Sequence, residues 1–375
     1  MKTLLRLLLK SQHQTNRSDV AHTDKGMTLV ELLVGAIMAF LIITPMLGFV
    51  VDMLNTDRRE QVKSNTEQDI QAAVDFIAQD LSQAMYIYDN RALNGPAGPN
   101  EQIVGPQLPP NANGTPILVF WKRQQLRNSI PINPTVAASV KPINCDAQNP
   151  RQCNDTYVQS LVAYYQIRDA DPTWCQPDGG NNCPTRIVRY EIRDGIDRIT
   201  DPSVPGGLAT YGIGNTTNAQ QTDPAFNTST DIDPTTSFSL NNPTVNVTNP
   251  TGLANPQSGA QNPQVLVNYI DNSTQNVPVP TGVECQTLLG FVPPAVTPAG
   301  TPAFVPDHLL ITDRSANSAH SFYACVDTSN NIARVTIRGN SLRRLQANDT
   351  AYNSTRTAFF PTATVQVQGL GAVGQ

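Results

Sequence analysis

The chain has 375 residues, is 39% hydrophobic and 15% charged, and sets 25 Lys and Arg against 30 Asp and Glu for a net charge of −5. That mild acidity, with no Lys/Arg-rich block, lacks the electrostatic footprint of a nucleic-acid binder. Thirty Pro and 23 Gly commit much of the chain to loops, and only two of the four His, His308 and His320, follow the first hydrophobic run, so metal-hydrolase and His-triad chemistry are poorly supplied.

Residues 1–26 carry Lys2, Arg6, Lys10, Arg17 and Lys25 against Asp19 and Asp24, a net +3 that leaves −8 for the rest. Leu32 to Val51 is then an uncharged stretch of 20 residues, the length that crosses about 30 Å of hydrocarbon as a helix. Basic residues before it and Asp52 after it predict a cytoplasmic leader, with everything downstream across the membrane. A secretory signal peptide needs a small-x-small site at the distal end of the run, and Thr44 to Val51 offers no convincing one. A plain uncleaved anchor leaves Glu31 unexplained: a carboxylate costs about 2.5–3.5 kcal/mol at the bilayer centre and less near an edge. An acid placed there asks for a partner.

Lys25-Gly26 followed by Met27-Thr28-Leu29-Val30-Glu31-Leu32-Leu33 resembles the class III signal of type IV pilins and type II secretion pseudopilins. The resemblance implies that a prepilin peptidase cuts between Gly26 and Met27, that the new amine on Met27 is methylated, and that Glu31, fifth in the mature chain, neutralises the terminal amine of a neighbouring subunit during filament assembly. Met27 stands where Phe is commoner in that family, and Pro45 is placed to kink the helix.

Beyond the polar segment Asn55 to Asp69, the residues Ile70, Val74, Ile77, Leu81, Met85 and Tyr88 recur at spacings of 4, 3, 4, 4 and 3, one face of an α-helix. With no Gly or Pro between Phe49 and Ala92, a single helix is expected from about Thr28 to about Tyr88, until Asn94-Gly95-Pro96 ends the pattern. The expected organisation is a leader over 1–26, a transmembrane assembly helix over 27–52, an amphipathic stem over 53–92 and an extracytoplasmic β-rich domain over 93–375.

Strands are expected at Ile117 to Lys122, Tyr157 to Arg168, Arg186 to Arg193, Leu309 to Thr312, Ser321 to Val326, Ile332 to Arg338 and Thr362 to Gln368. The alternation Ile187-Val188-Arg189-Tyr190-Glu191-Ile192-Arg193 reads as a half-buried antiparallel strand. The economical architecture is α+β, a long helix packed on one antiparallel sheet, which is the pilin fold that the resemblance implies. No Lys or Arg falls between Arg198 and Arg314, and the Asn-, Thr- and Pro-rich stretch 200–306 reads as a poorly packed insertion. Its uncharged polar surface suits hydrogen bonding to glycans, but a solvated loop is the simpler reading, and triplets such as Asn246-Val247-Thr248 are background in such a composition.

The six Cys all follow the membrane run, which predicts disulfides in an oxidising compartment. The pairing expected is Cys145 with Cys153, Cys175 with Cys183, and Cys285 with Cys325, the last tying the insertion to the late strands, although six Cys allow about 15 connectivities. Zinc is a weak rival because no Cys-x-x-Cys or paired His spacing occurs. Asp169/Asp171, Asp231/Asp233 and the turn Asp194-Gly195-Ile196-Asp197 offer oxygen to calcium, but none completes a loop motif. No catalytic site and no cofactor are expected.

An assembly subunit, a surface glycan-binding module and an anchored enzyme are the classes to weigh, and Glu31 favours the first. Residues 25–90, in particular the stretch Ala39 to Val51 and the segments Asn55 to Gln61 and Ala78 to Leu81, look like the pseudopilins of cyanobacterial hormogonium polysaccharide secretion, with J-type minor pseudopilins and W-type minor pilins as wider relatives. The resemblance implies a minor pseudopilin of an inner-membrane apparatus that supports polysaccharide export and gliding. Its partners would be the prepilin peptidase, sister major and minor pseudopilins, the assembly platform, membrane lipid and the exported polymer. The runner-up is a minor type IV pilin that primes or tips a pilus for adhesion or twitching.

Overall fold

The computed structural model describes residues 28–95, 104–105, 108, 114–131, 153–168, 173–175, 183–193, 199–200, 208–209, 263–274, 279–291, 305–312, 320–346 and 349–372. The chain divides into two compact units at Arg58/Arg59. In the first, the described residues from Leu29 onward are helical, the opening part of α1 (Leu29–Ser82). Every one of them is exposed, including large apolar side chains such as Phe40 and Phe49.

The second unit holds the rest of α1 and the β elements. Here Ile70, Val74, Ile77 and Leu81 are buried, as the 3- and 4-residue spacing predicts, joined by Thr66, Ala73 and Asp80. The helix then stops at Ser82, where the Ser82 hydroxyl donates to the Gln79 carbonyl and the Gln83 N–H to that of Asp80. Residues Ala84–Ile87 form strand β1. This corrects the expectation of a helix to Tyr88 and a stem to 92. Met85 and Tyr88 continue the helical spacing by coincidence, and Tyr88 is buried after β1, accepting the Trp121 indole N–H at 2.8 Å. A short helix α2 (Asn90–Asn94) follows, capped by the Asp89 side chain on the Ala92 N–H.

Strands β2 (Gly114–Pro131), β3 (Cys153–Ile167) and β4 (Thr185–Arg193) pair antiparallel in sequence order. The residue pairs β5 (Ile199–Thr200) and β6 (Leu208–Ala209) form a separate two-stranded ladder. With β1 at one edge and β7 (Gln264–Ile270) at the other, β2 to β4 make a five-stranded sheet ordered β1-β2-β3-β4-β7. Ile117 to Trp121 and Leu161 to Tyr165 are buried on both faces, which explains their near-continuous apolar runs. Helix α3 (Gly282–Leu289) carries a full capping box, Thr281 with Glu284, and ends on Gly290 at a left-handed φ of 69°. After it, β8 (Leu310–Ile311), β9 (Phe322–Asp327), β10 (Ile332–Arg338), the single-turn helix α4 (Leu342–Leu345) and β11 (Thr362–Gln368) complete the fold.

The late strands form their own antiparallel sheet, β11-β10-β9-β8, so the architecture is broadly α+β with two main sheets where one was expected. Both sheets and α1 share one apolar core. Gly339, bridged to Ile270, sits where α1 crosses: a Cβ there would lie 2.1 Å from Ile70 Cδ1 and 2.9 Å from Thr66 Cγ2. The stretch 200–306 also needs correction, because β7 and α3 within it are ordered and packed. The register of β7 shifts between the pairs Thr185–Ile270 and Ile187–Val267, and Tyr269, within that irregularity, has a φ of 59°.

Candidate functional site

At the start of α1 the Thr28 hydroxyl accepts from the Glu31 backbone N–H, while the Glu31 carboxylate accepts from the Thr28 N–H and hydroxyl, each at 3.3 Å. This is a capping box, and the helix dipole favours the acid there. Glu31 therefore has an intrachain partner that the sequence reading did not supply. Gly26 and Met27, the expected cleavage and methylation residues, lie outside the described residues. Within the apolar run, Thr44 returns its hydroxyl to the Phe40 carbonyl at 2.8 Å, so its polar group is satisfied within the helix. Among the described residues α1 is the one helix long and apolar enough to cross a membrane, by length and composition.

At its other end α1 meets the five-stranded sheet through charge. Asp80 lies in the last turn, where the helix dipole disfavours an acid, and it is buried. Lys122 ends the apolar run of β2, Tyr164 lies on β3, and Arg189 and Glu191 sit two apart on β4. The register, Lys122 opposite Ser160 and Tyr164 opposite Arg189, puts them on one face. Asp80 Oδ1 accepts from Lys122 Nζ at 3.0 Å, and Oδ2 accepts from Arg189 Nε and Tyr164 Oη, each at 2.7 Å. Arg189 Nη1 donates to Glu191 Oε2 at 2.8 Å, and Lys122 Nζ lies 3.3 Å from Glu191 Oε1. The Phe76 ring packs 5.8 Å from the Arg189 guanidinium.

Two acids and two bases thus cancel. Burial pushes the Asp80 carboxyl up, but the hydrogen bond from Arg189 and the Lys122 charge outweigh it and hold the group below the usual carboxylate range. Glu191 is lowered in the same way, burial opposing and Lys122 then Arg189 prevailing. Burial, and then the neighbouring Asp80 charge, push the Tyr164 phenol well above its ordinary value. The charges of Asp80, Lys122, Arg189 and Glu191 are paired with one another, and the two carboxylates are held ionised, which makes the cluster a lock between α1 and the sheet. The alternation of β4 predicted a half-buried strand, whereas Arg189 is buried like its apolar neighbours and Glu191 is only partly exposed. A signal was present: a lone acid interrupts the Ile77 to Leu81 stripe, and a lone Lys closes an otherwise apolar strand.

Cys175 is bonded to Cys183 and Cys285 to Cys325, the latter joining α3 to β9. Cys153 opens β3, and its expected partner Cys145 lies outside the described residues, so that pair is not described. The calcium candidates Asp169, Asp171, Asp194, Asp197, Asp231 and Asp233 also lie outside the described residues. Among those described, no group of three or more His, Cys, Asp or Glu could hold a metal ion. His308 belongs to a 3₁₀ turn, and the His320 carbonyl accepts from Arg338. No family model matches the chain, and neither a curated protein nor a solved structure matches it.

Proposed function

We propose that the chain is a minor pseudopilin, a non-enzymatic, single-pass subunit of a pilus-like apparatus related to type II secretion that supports polysaccharide export and gliding. The observation that carries this reading is the composition of α1. It has an acid in its first turn, then an exposed apolar stretch of membrane-spanning length, and a last section buried in an α+β domain with antiparallel sheets. That sequence of parts is what the pilin fold requires. The resemblance of residues 25–90 to pseudopilins of hormogonium polysaccharide secretion supports the choice of apparatus.

In this reading the prepilin peptidase cuts after Gly26 on the cytoplasmic face of the inner membrane, Met27 is methylated, and the domain is periplasmic. Sister subunits then pack their apolar helices together on the assembly platform, with Glu31 paired to a neighbour's Met27 amine. The two disulfides fit an oxidising compartment. Intact mass of the protein from native membranes under non-reducing conditions, with amino-terminal sequencing, tests the proposal. A chain beginning at N-methyl-Met27 supports it, and an uncut start at Met1 or a cut beyond Val51 refutes it.

A further inference from the structure

The four-stranded sheet turns Phe322, Ala324, Val326, Ala333, Val335 and Ile337 into the core. Its other face carries Tyr323 opposite Thr336, and Arg338 opposite Thr362. The segment 352–360 lies over this face and leaves a partly enclosed cavity of about 250 Å³, lined on the sheet side by Tyr323, Thr336 and Arg338 and on the segment side by Tyr352, Thr357 and Phe360. Tyr352 and Phe360 meet edge to face at 5.1 Å, and the Arg338 guanidinium lies 5.2 Å from the Tyr352 ring centroid.

Size, charge and hydrogen-bonding capacity narrow the occupant. The volume falls below the roughly 300–1,000 Å³ of sites for drug-sized molecules, so it suits a single ring. Arg338 gives no net positive field, because its Nε donates to Asp271 Oδ2 at 2.9 Å, and Asp271 is fully buried and held by the Ser273 N–H and hydroxyl at 3.0 and 2.6 Å. An anion is therefore disfavoured. Arg338 Nη2 reaches the His320 carbonyl at 3.4 Å. Its Nη1 and the hydroxyls of Tyr323, Tyr352 and Thr357 make no hydrogen bond among the described residues. A purely apolar guest would strand those groups away from water. What fits is a ring with apolar C–H faces for the aromatics and a rim of hydroxyls for the donors and acceptors.

We infer that this cavity binds one neutral hexopyranose unit of a polysaccharide. The inference rests on the proposed function, whose exported polymer it narrows to one containing neutral hexose.

The test uses the full chain, extracted in a detergent without a sugar headgroup, and saturation-transfer NMR titrations with the methyl glycosides of glucose, galactose and mannose, with methyl glucuronoside for comparison. At least one neutral glycoside should bind with a Kd of about 1 mM, a usual affinity for so small a contact. Tyr352→Ala should weaken it about tenfold. Tyr323→Phe and Thr357→Ala, which keep the packing, should each weaken it about threefold while the thermal transition stays in place. The inference is overturned by no binding of any of the three, by tighter binding of the glucuronoside, or by binding indifferent to all three variants. A side chain of a sister subunit that shields Tyr352 from modification in assembled filaments, with no sugar bound, would also overturn it. If the chain starts at Met27 and assembles but binds no hexose, the inference fails alone. If the sugar binds to a chain uncut at Gly26, the site stands and the pseudopilin reading falls.

Discussion

Replacing Asp80 by Asn removes one charge from the cluster that joins the end of α1 to the five-stranded sheet. The carboxylate accepts from Lys122, Arg189 and Tyr164 at 3.0, 2.7 and 2.7 Å, and the Asp80 and Lys122 side chains are only 9% and 7% exposed. Breaking a buried ion pair by deleting one partner costs about 3–5 kcal/mol, because the orphaned charge stays buried. Glu191 remains within reach of both cations, and an Asn amide can still accept from one donor, so the low end applies, about 3 kcal/mol at pH 7. For a unit of this size that is a fall of roughly 5 °C in Tm. Urea unfolding of the full chain, followed by the fluorescence of the buried Trp121, measures it.

The pH dependence adds a second readout. Asp80 and Glu191 both have folded pKa values below their ordinary ones. Their contribution is thus fully present above the unfolded values of about 4 and is lost as pH falls through the lowered folded values. The wild type and Asp80→Asn should differ by a constant amount from pH 8 to about 5, and the gap should close on further acidification. A variant within about 0.5 kcal/mol of wild type at pH 7, the range of an ordinary surface change, would refute the reasoning, as would a gap that persists at low pH.

Three further outcomes follow from the same geometry. Removing the Cys285–Cys325 bond by paired Cys→Ser changes, a separation of 40 residues against 8 for Cys175–Cys183, should cost about 4 kcal/mol against about 2.5 by loop entropy, and chemical denaturation of the two double variants checks the order. Gly339→Ala drives a Cβ into Ile70 and should destabilise by about 1–3 kcal/mol, with part regained when Ile70→Val removes the clashing Cδ1, measured by a double-mutant cycle. On the proposed function, Glu31→Gln, which keeps an acceptor for Thr28 but drops the charge, should stay membrane-inserted and lose filament incorporation by at least tenfold, about 1.4 kcal/mol, while Thr28→Val incorporates normally. Equal loss in both variants, read from co-purification with assembled filaments, would assign Glu31 to helix capping alone.

Local patterns in the sequence identify the parts whose cause is local. The buried stripe Ile70, Val74, Ile77 and Leu81 obeys the helical period because one face of α1 packs on the core. The strand runs of β2, β3, β4, β9, β10 and β11 stand out because alternation or a continuous apolar run reports one or two buried faces. Two of the three expected Cys pairs also match, the local one and the longer one. The end of α1 did not follow in the same way. Met85 and Tyr88 keep the helical spacing, yet Ala84 to Ile87 pair with Lys122 to Phe120, and that edge position depends on residues more than thirty places away. β7 was hidden for a related reason: a short apolar run inside an Asn- and Thr-rich stretch earns its order from β4 and from the Ile270 to Gly339 bridge, neither of which is a local property.

The charged lock shows most directly where sequence reading stops. Asp80 finds Lys122, Tyr164 and Arg189 at separations of 42, 84 and 109 residues, so no window along the chain contains even two of its contacts. Taken singly, each residue has a more ordinary solvated reading: an acid late in an amphipathic helix, a Lys closing a strand, an Arg and a Glu alternating on an antiparallel edge. Burying Asp80, Lys122 and Arg189 together, with Glu191 half-buried beside them, costs desolvation that an apolar patch of the same shape would avoid. What an apolar patch cannot supply is register, since Leu or Val would tolerate a one-turn slide of α1 over the sheet, whereas Asp80 satisfies three donors at only one position. For a helix that the proposed function loads during filament assembly, resistance to that slide is the property that matters, and Asp80→Leu with Lys122→Met would isolate it. That pair should preserve much of the stability at pH 7 and broaden or split the NMR signals of the core residues around Ile77, and sharp, single signals there would remove the register argument.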